Sequence, residues 1–187
     1  MTIEEIKIKY PDIDINMDGG LDNYKEGALI VERDNIACII KHPTENKYLI
    51  SKWKKVIWNG FLTGGIDDIT SLKTNINDGG EIKDPRTIAV RQEVVEETGY
   101  TDIKSVEDLH FASHGLFFHP HKLENRLAHY NLMYVVLNSL ENKGVSDEEA
   151  EICDFVWIDK SEVSTLLTRN GMKQLWEHFI DTISSVA

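Results

Sequence analysis

The stretch DPRTIAVRQEVVEETGY, residues 84–100, carries a helix start, a helix stop and an acidic face. Aspartate is a good N-cap because its carboxylate accepts a free N–H of the first turn, and Pro85 follows where a missing N–H costs nothing. Gly99 ends the helix, since the left-handed C-cap conformation is open to glycine without steric penalty. At about 3.6 residues per turn, Ile88, Val90, Val94 and Val95 gather on one side. Glu93, Glu96 and Glu97 stand at i, i+3 and i+4, within an arc of about 100° on the other. Like charges at i,i+4 cost about 0.2–0.5 kcal/mol per pair, so a helix built for stability alone would intersperse lysines. Taken alone, EVVEE reads equally as a solvated acidic face or as a cradle for a hard divalent cation such as Mg²⁺, which takes oxygen ligands and keeps waters.

The flanks supply context. Upstream, ALIVERDNIACIIKH (28–42) is rich in β-branched residues and predicts one long strand or a strand pair. After the turn cluster HPTENK, KYLISKW (47–53) reads as a returning strand, and VIWNGFLTGG (56–65) as a short strand ending in paired glycines. Residues 66–80 are polar and turn-rich, a surface excursion. Downstream, SVEDLHFASHGLFF (105–118), LAHYNLMYVVL (127–137) and ICDFVWID (152–159) predict strands, with a turn at HPHKLEN. A short helix near 161–168 and a final amphipathic helix from Met172 follow, separated by Gly171. Residues 1–27, broken by Pro11, Gly19 and Gly20, read as an N-terminal arm on a domain spanning 28–187. Strands around a central helix, with helices at the end, give an α/β (α+β) layered domain.

The helix and its flanks resemble the Nudix hydrolase family (MutT-like), whose signature runs G-x5-E-x7-R-E-U-x-E-E-x-G-U, with U a bulky apolar residue. This chain matches at Glu93, Val94, Glu96, Glu97, Gly99 and Tyr100. Asp84 stands at the earlier Glu position and Gln92 at the Arg position. Gly64-Gly65, directly after a strand, fit the opening pair; Gly79-Gly80 lie closer to the helix but two residues short, and residues 66–80 then read partly as an insertion. The resemblance implies a Nudix-type α/β/α sandwich with a mixed β-sheet. It implies that Glu93, Glu96 and Glu97, with the Gly64 carbonyl, bind Mg²⁺ (or Mn²⁺), which bridges phosphate oxygens and activates water. The implied reaction is hydrolysis of a diphosphate linkage in a nucleoside diphosphate joined to another moiety. Glu151, in SDEEAEI before a strand, is the candidate for a further carboxylate, as ligand or general base, and reads equally as a solvated loop acid. In the family the signature Arg pairs with the earlier Glu; a Gln92–Asp84 contact would be a weaker, neutral-donor bond, while Asp84 also serves as a simple cap. These departures keep a second reading open, a non-catalytic Nudix-fold nucleotide-binding or regulatory module. Isoprenoid diphosphate isomerisation also occurs on this fold, but no matching Cys and Glu pair stands out.

Lys52, Lys54 and Lys55 near a strand end, and Arg126 beside another, are candidates for phosphate contact, and Trp53 or Trp58 for stacking a base; ordinary exposed lysines and inward tryptophans are the alternative. The histidines lack the spacing of a zinc site. With 187 residues and 41% hydrophobic content, the chain supports a single sizeable core. The net charge of −12 argues against a nucleic-acid or anionic-membrane partner. No basic-apolar leader and no apolar run of about 20 residues occurs, and the two cysteines read as reduced thiols, so a cytoplasmic protein with a small-molecule substrate is expected. The long C-terminal amphipathic helix leaves a homodimer open.

Overall fold

The hydrophobic run in 28–42 forms one strand. In the computed structural model, which describes residues 1–17, 20–66, 84–120 and 122–185, β2 spans Ile30–Lys41 after the two-residue β1 (Asp14–Ile15). Residues Ile36 to Ile40 are buried without a break, as expected of a central strand covered on both faces. Ile36, Cys38 and Ile40 point to one face, and Ala37 and Ile39 to the other. The remaining strands are β3 (Lys47–Trp53), β4 (Asn59–Gly60), β5 (Leu62–Gly65), β6 (Ile103–His119), β7 (Glu124–Leu137) and β8 (Cys153–Asp159). β7 runs parallel to β2 along its whole length, while β5 and β3 meet the opposite edge of β2 antiparallel. The sheet is therefore mixed, in the order β1-β6-β7-β2-β3-β4, with β5 on β2 and β8 on β3.

Helices cover both faces. α2 (Pro85–Thr98) follows α1 (Ile3–Lys9) and lays Ala89, Val90 and Val94 against Ile36, Cys38, Ile40 and Leu62. After α3 (Asp147–Ile152), α4 (Lys160–Leu166) and α5 (Asn170–Ser185) pack Val163, Leu175, Trp176 and Phe179 against Ala37, Ile39, Tyr48 and Phe61. The result is the α/β/α sandwich with a mixed sheet. α1 buries Ile6 on Leu116 and Leu127 at the β1 end.

Several details differ from the sequence expectations. Ile88 and Val95 of α2 are only half-buried, and Ala89 and Thr98 complete the inner face instead. The acidic run before β8 is helical, not a loop. Gly171 lies inside the first turn of α5 rather than ahead of it. The 66–80 excursion, from residue 67 on, and Gly79-Gly80 lie outside the described residues. Among the described residues, no helix is long and apolar enough to cross a membrane.

Candidate active site

Both ends of α2 form as the sequence predicts. Asp84 accepts from the Arg86 N–H at 3.1 Å, and Gly99 closes the helix at φ 76°. A side chain on Gly99 would also strike Asn142, its Cβ lying 2.5 Å from Oδ1, so glycine is required twice over. Arg86 anchors the helix to β6 through Asp108 at 2.7 Å. Burial works against ionisation of Asp108, but the His110 N–H and Arg86 outweigh it and hold the carboxyl below its ordinary value.

Glu93 and Glu97 flank the buried stripe of α2 and are half-buried, whereas Glu96 is exposed. Glu93 reaches β5 at Gly64. A Cβ built on Gly64 would fall on the Glu93 carboxyl group, 2.6 Å from Oε1, so glycine at 64 is what lets the carboxylate lie against the β5 backbone. Beneath them, burial pushes the Cys38 thiol well up, and the charges of Glu93 and Glu97 push it the same way. Glu96 accepts from Gln92 Nε2 at 3.0 Å. Gln92 thus turns along the helix to Glu96, and Asp84 turns to the helix start, so the expected Gln92–Asp84 contact does not form.

The donor set suits Mg²⁺ or Mn²⁺. Among the described residues no three His, Cys, Asp or Glu side chains close into a cage. Mg²⁺ is usually held by one or two carboxylates with waters and substrate phosphate filling its shell, rather than by an all-protein cage. The glycine-floored recess at Gly64, which any Cβ would fill with clash, presents a backbone strand directly to the Glu93 carboxylate.

A cavity of about 480 Å³ lies under α5 on the other face of the sheet. It is walled by Trp53, Trp58, Phe117, Tyr130 and Met172, with Asp14, Asn16, Asp22 and Arg169 as polar members. No carboxylate of α2 lines it. The chain itself links the two, since the segment from Trp58 to Gly64 runs from the cavity wall to the recess beside Glu93. The Trp53 and Trp58 rings stand 4.8 Å apart at 32°.

Of the expected substrate contacts, Trp58 lines the cavity. Lys54 is engaged with Asp154 at 2.9 Å and the Ala150 carbonyl at 2.6 Å. Arg126 pairs with Glu124 at 3.2 Å. Lys52 is half-buried in β3 between Asn59 and Asp154. Exposed Lys55, the third lysine of that group, lines the cavity. Glu151 sits exposed in α3, next to cavity residue Ile152, and among the described residues forms no three-ligand group with the α2 acids. The sequence reading also missed Asp14, Tyr130 and Arg169, for which no local motif exists.

No protein-family model and no curated protein matches the sequence. Among solved structures, the E. coli dihydroneopterin triphosphate pyrophosphohydrolase aligns at TM-score 0.53 and 13% identity, over 81% of this chain and 99% of that one. A Nudix hydrolase from Nitrosomonas europaea aligns at TM-score 0.50 and 17% identity, over 81% and 90% of the two chains. These likenesses, with the mixed sheet between two helical layers, define a Nudix-fold protein. At such identities they speak to the fold, and the chemistry rests on the residues described above.

Proposed function

We propose that this Nudix-fold chain is a divalent-metal-dependent pyrophosphohydrolase, cleaving a diphosphate linkage in a nucleoside diphosphate joined to another moiety, in the cytoplasm. The observation that carries it is the recess in which Glu93 lies against Gly64, with Glu97 one turn further along the same helix. Carboxylates on one helix face supply the hard oxygen ligands that Mg²⁺ takes, with waters and substrate phosphate completing its shell. Mg²⁺ or Mn²⁺ would be held by Glu93, Glu96, Glu97 and the Gly64 carbonyl, and when bound it supplies charge neutralisation for phosphate oxygens and a more acidic water.

In this reading the protein's own groups position and screen. Gln92 fixes the rotamer of Glu96 through its amide bond. Arg86, through Asp108, holds the first turn of α2 against the sheet. Glu151 is retained as a candidate general base, with Lys52, Lys54 and Arg126 as candidate phosphate contacts and Trp58 as the ring contact. The E. coli neighbour is itself named a pyrophosphohydrolase, which agrees with this reaction class. The Gln92–Glu96 bond, with a neutral donor where the family has an arginine, favours a second reading, a nucleotide-binding module without turnover.

The test is phosphate release, after a coupled phosphatase, from nucleoside triphosphates, nucleotide sugars, ADP-ribose and dinucleoside polyphosphates, with Mg²⁺ and with Mn²⁺. Turnover that disappears in Glu97→Gln supports the hydrolase. Stabilisation by one of these nucleotides with no turnover supports the binding module.

A further inference from the structure

The cavity under α5 is closed by the chain's own N-terminal segment. β1 lies parallel to β6 with Asp14 opposite Gly115, and Asp14, Asn16, Leu21 and Asp22 form one wall. The polar groups of that wall are not equivalent. Asp22 is paired with Arg169 at 3.0 Å, and Arg169 also donates to the Asn16 side chain at 2.7 Å. Asp14 has no cationic partner among the described residues. Its Oδ2 accepts from the Gly171 N–H at 3.3 Å, and its Oδ1 has no hydrogen-bond partner among the described residues. The surrounding surface is aromatic and aliphatic, including the Trp53–Trp58 pair.

A slot of this kind takes a planar ring by stacking and burial. An ionised carboxylate in its wall is acceptor-only, with lone pairs to spare beyond the Gly171 bond. The matching ring edge must therefore present N–H donors, and a carboxylate is satisfied best by two side by side. We infer that Asp14 is a specificity-determining residue, and that the cavity takes a heteroaromatic ring with an adjacent ring N–H and exocyclic amino group, the edge that guanine presents. This rests on the reading above only in that the cavity receives the ring of the substrate. Hypoxanthine lacks the amino group, and uracil offers one N–H between two carbonyls, so each leaves Asp14 or itself underpaired; a polar group buried without its partner is what gives such sites their discrimination.

Quenching of tryptophan fluorescence by GMP, IMP and UMP, in EDTA, tests this on the whole protein and on Asp14→Asn. The asparagine oxygen can still accept from Gly171, so the α5 start is retained, while its amide presents donors to the ring. GMP is expected to bind wild type about tenfold or more tighter than IMP or UMP, a difference of one or two charge-assisted bonds. In Asp14→Asn that preference is expected to vanish, with UMP binding unchanged or tighter. Should the variant not fold, as judged by its thermal transition, the wild-type series alone decides. Binding of all three nucleotides to wild type within about twofold, binding of none, or a preference that survives in Asp14→Asn would each overturn the inference. Because no metal and no turnover enter this assay, hydrolysis that depends on Glu97 stands or falls separately.

Discussion

Replacing Gly64 with alanine separates the structural role of β5 from the chemical role proposed for Glu93. The added methyl carbon would sit 2.6 Å from Glu93 Oε1 and closer still to the carboxyl carbon, so one of the two must move. The backbone tolerates the change, since Gly64 is not among the glycines of positive φ. The obstructing atoms are the far end of a flexible side chain, so Glu93 swings away and the strand stays. An off-rotamer side chain costs about 0.5–1.5 kcal/mol, and the lower entropy of the unfolded alanine chain returns about 0.4–1 kcal/mol. Stability, read from urea denaturation, should therefore change by less than about 1 kcal/mol. A reacting group displaced by roughly 1 Å can cost about 10²-fold in rate. Turnover should fall by that order, with a higher Mg²⁺ concentration needed for half-maximal rate. Gly65→Ala is the control, because its Cβ would find nothing nearer than Asn35 Oδ1 at 3.9 Å. If Gly64→Ala turns over as fast as Gly65→Ala, the position of Glu93 is irrelevant to the chemistry. If it loses more than about 3 kcal/mol of stability, beyond the usual overpacking cost, the strand and not the side chain is yielding.

Gln92→Arg places a cation one turn before Glu96, where a guanidinium adds an ion pair and can bind a carboxylate with two N–H groups instead of one. Turnover is expected to rise several-fold, with stability changed by about 0.5 kcal/mol or less; unchanged kinetics would mean that Glu96 needs no orienting. Acid should loosen the N-terminal segment first. Burial, then His129 and Lys9, lowers the His114 pKa despite the nearby Glu32 charge; the His129 hydrogen bond, against burial, lowers that of Glu32. Both folded values lie below the unfolded ones, so the unfolded chain binds more protons and stability is lost as pH falls, below 6.5 for His114 and below 4.5 for Glu32. The His114–His129 contact at 2.8 Å and the tilted Tyr10 ring, 4.2 Å from His114, tie that loss to the end of α1. Faster amide exchange in residues 3–10 than in α2 at pH 5 is the expected result; equal rates would count against it.

What the sequence made legible was local. The cap, proline and glycine of α2 act within one turn of their own positions, and the strand pattern of β2 and β3 needs only a few neighbours. The arrangement of Glu93 and Glu97 on one side of a helix is likewise fixed by helical geometry. Pairings across the sheet were not legible. The β6–β7 register that joins His114 to His129, and the meeting of Asp14 with Gly171, arise from segments far apart in the chain. Gln92 was placed opposite Asp84 by analogy, although the i,i+4 partner Glu96 was nearer on the same helix. The acids before β8 read as a loop because six residues are too few to display a helical period.

The attachments of the N-terminal segment order events during synthesis. Asp12, Asp14 and Asn16 are held by Gln174, Gly171 and Arg169. A ribosome delivers α2 and the strands beneath it long before it delivers α5. The acidic helix therefore has all its packing partners while the opening strand still waits for its own. Such closure between distant segments is slow compared with local pairing. A nascent chain halted before Arg169 would carry a finished carboxylate recess beside an unwalled cavity, with Leu21 and Trp58 lacking the enclosure that Arg169 and Met172 complete. For that interval, recognition lags behind the chemistry it is meant to restrict.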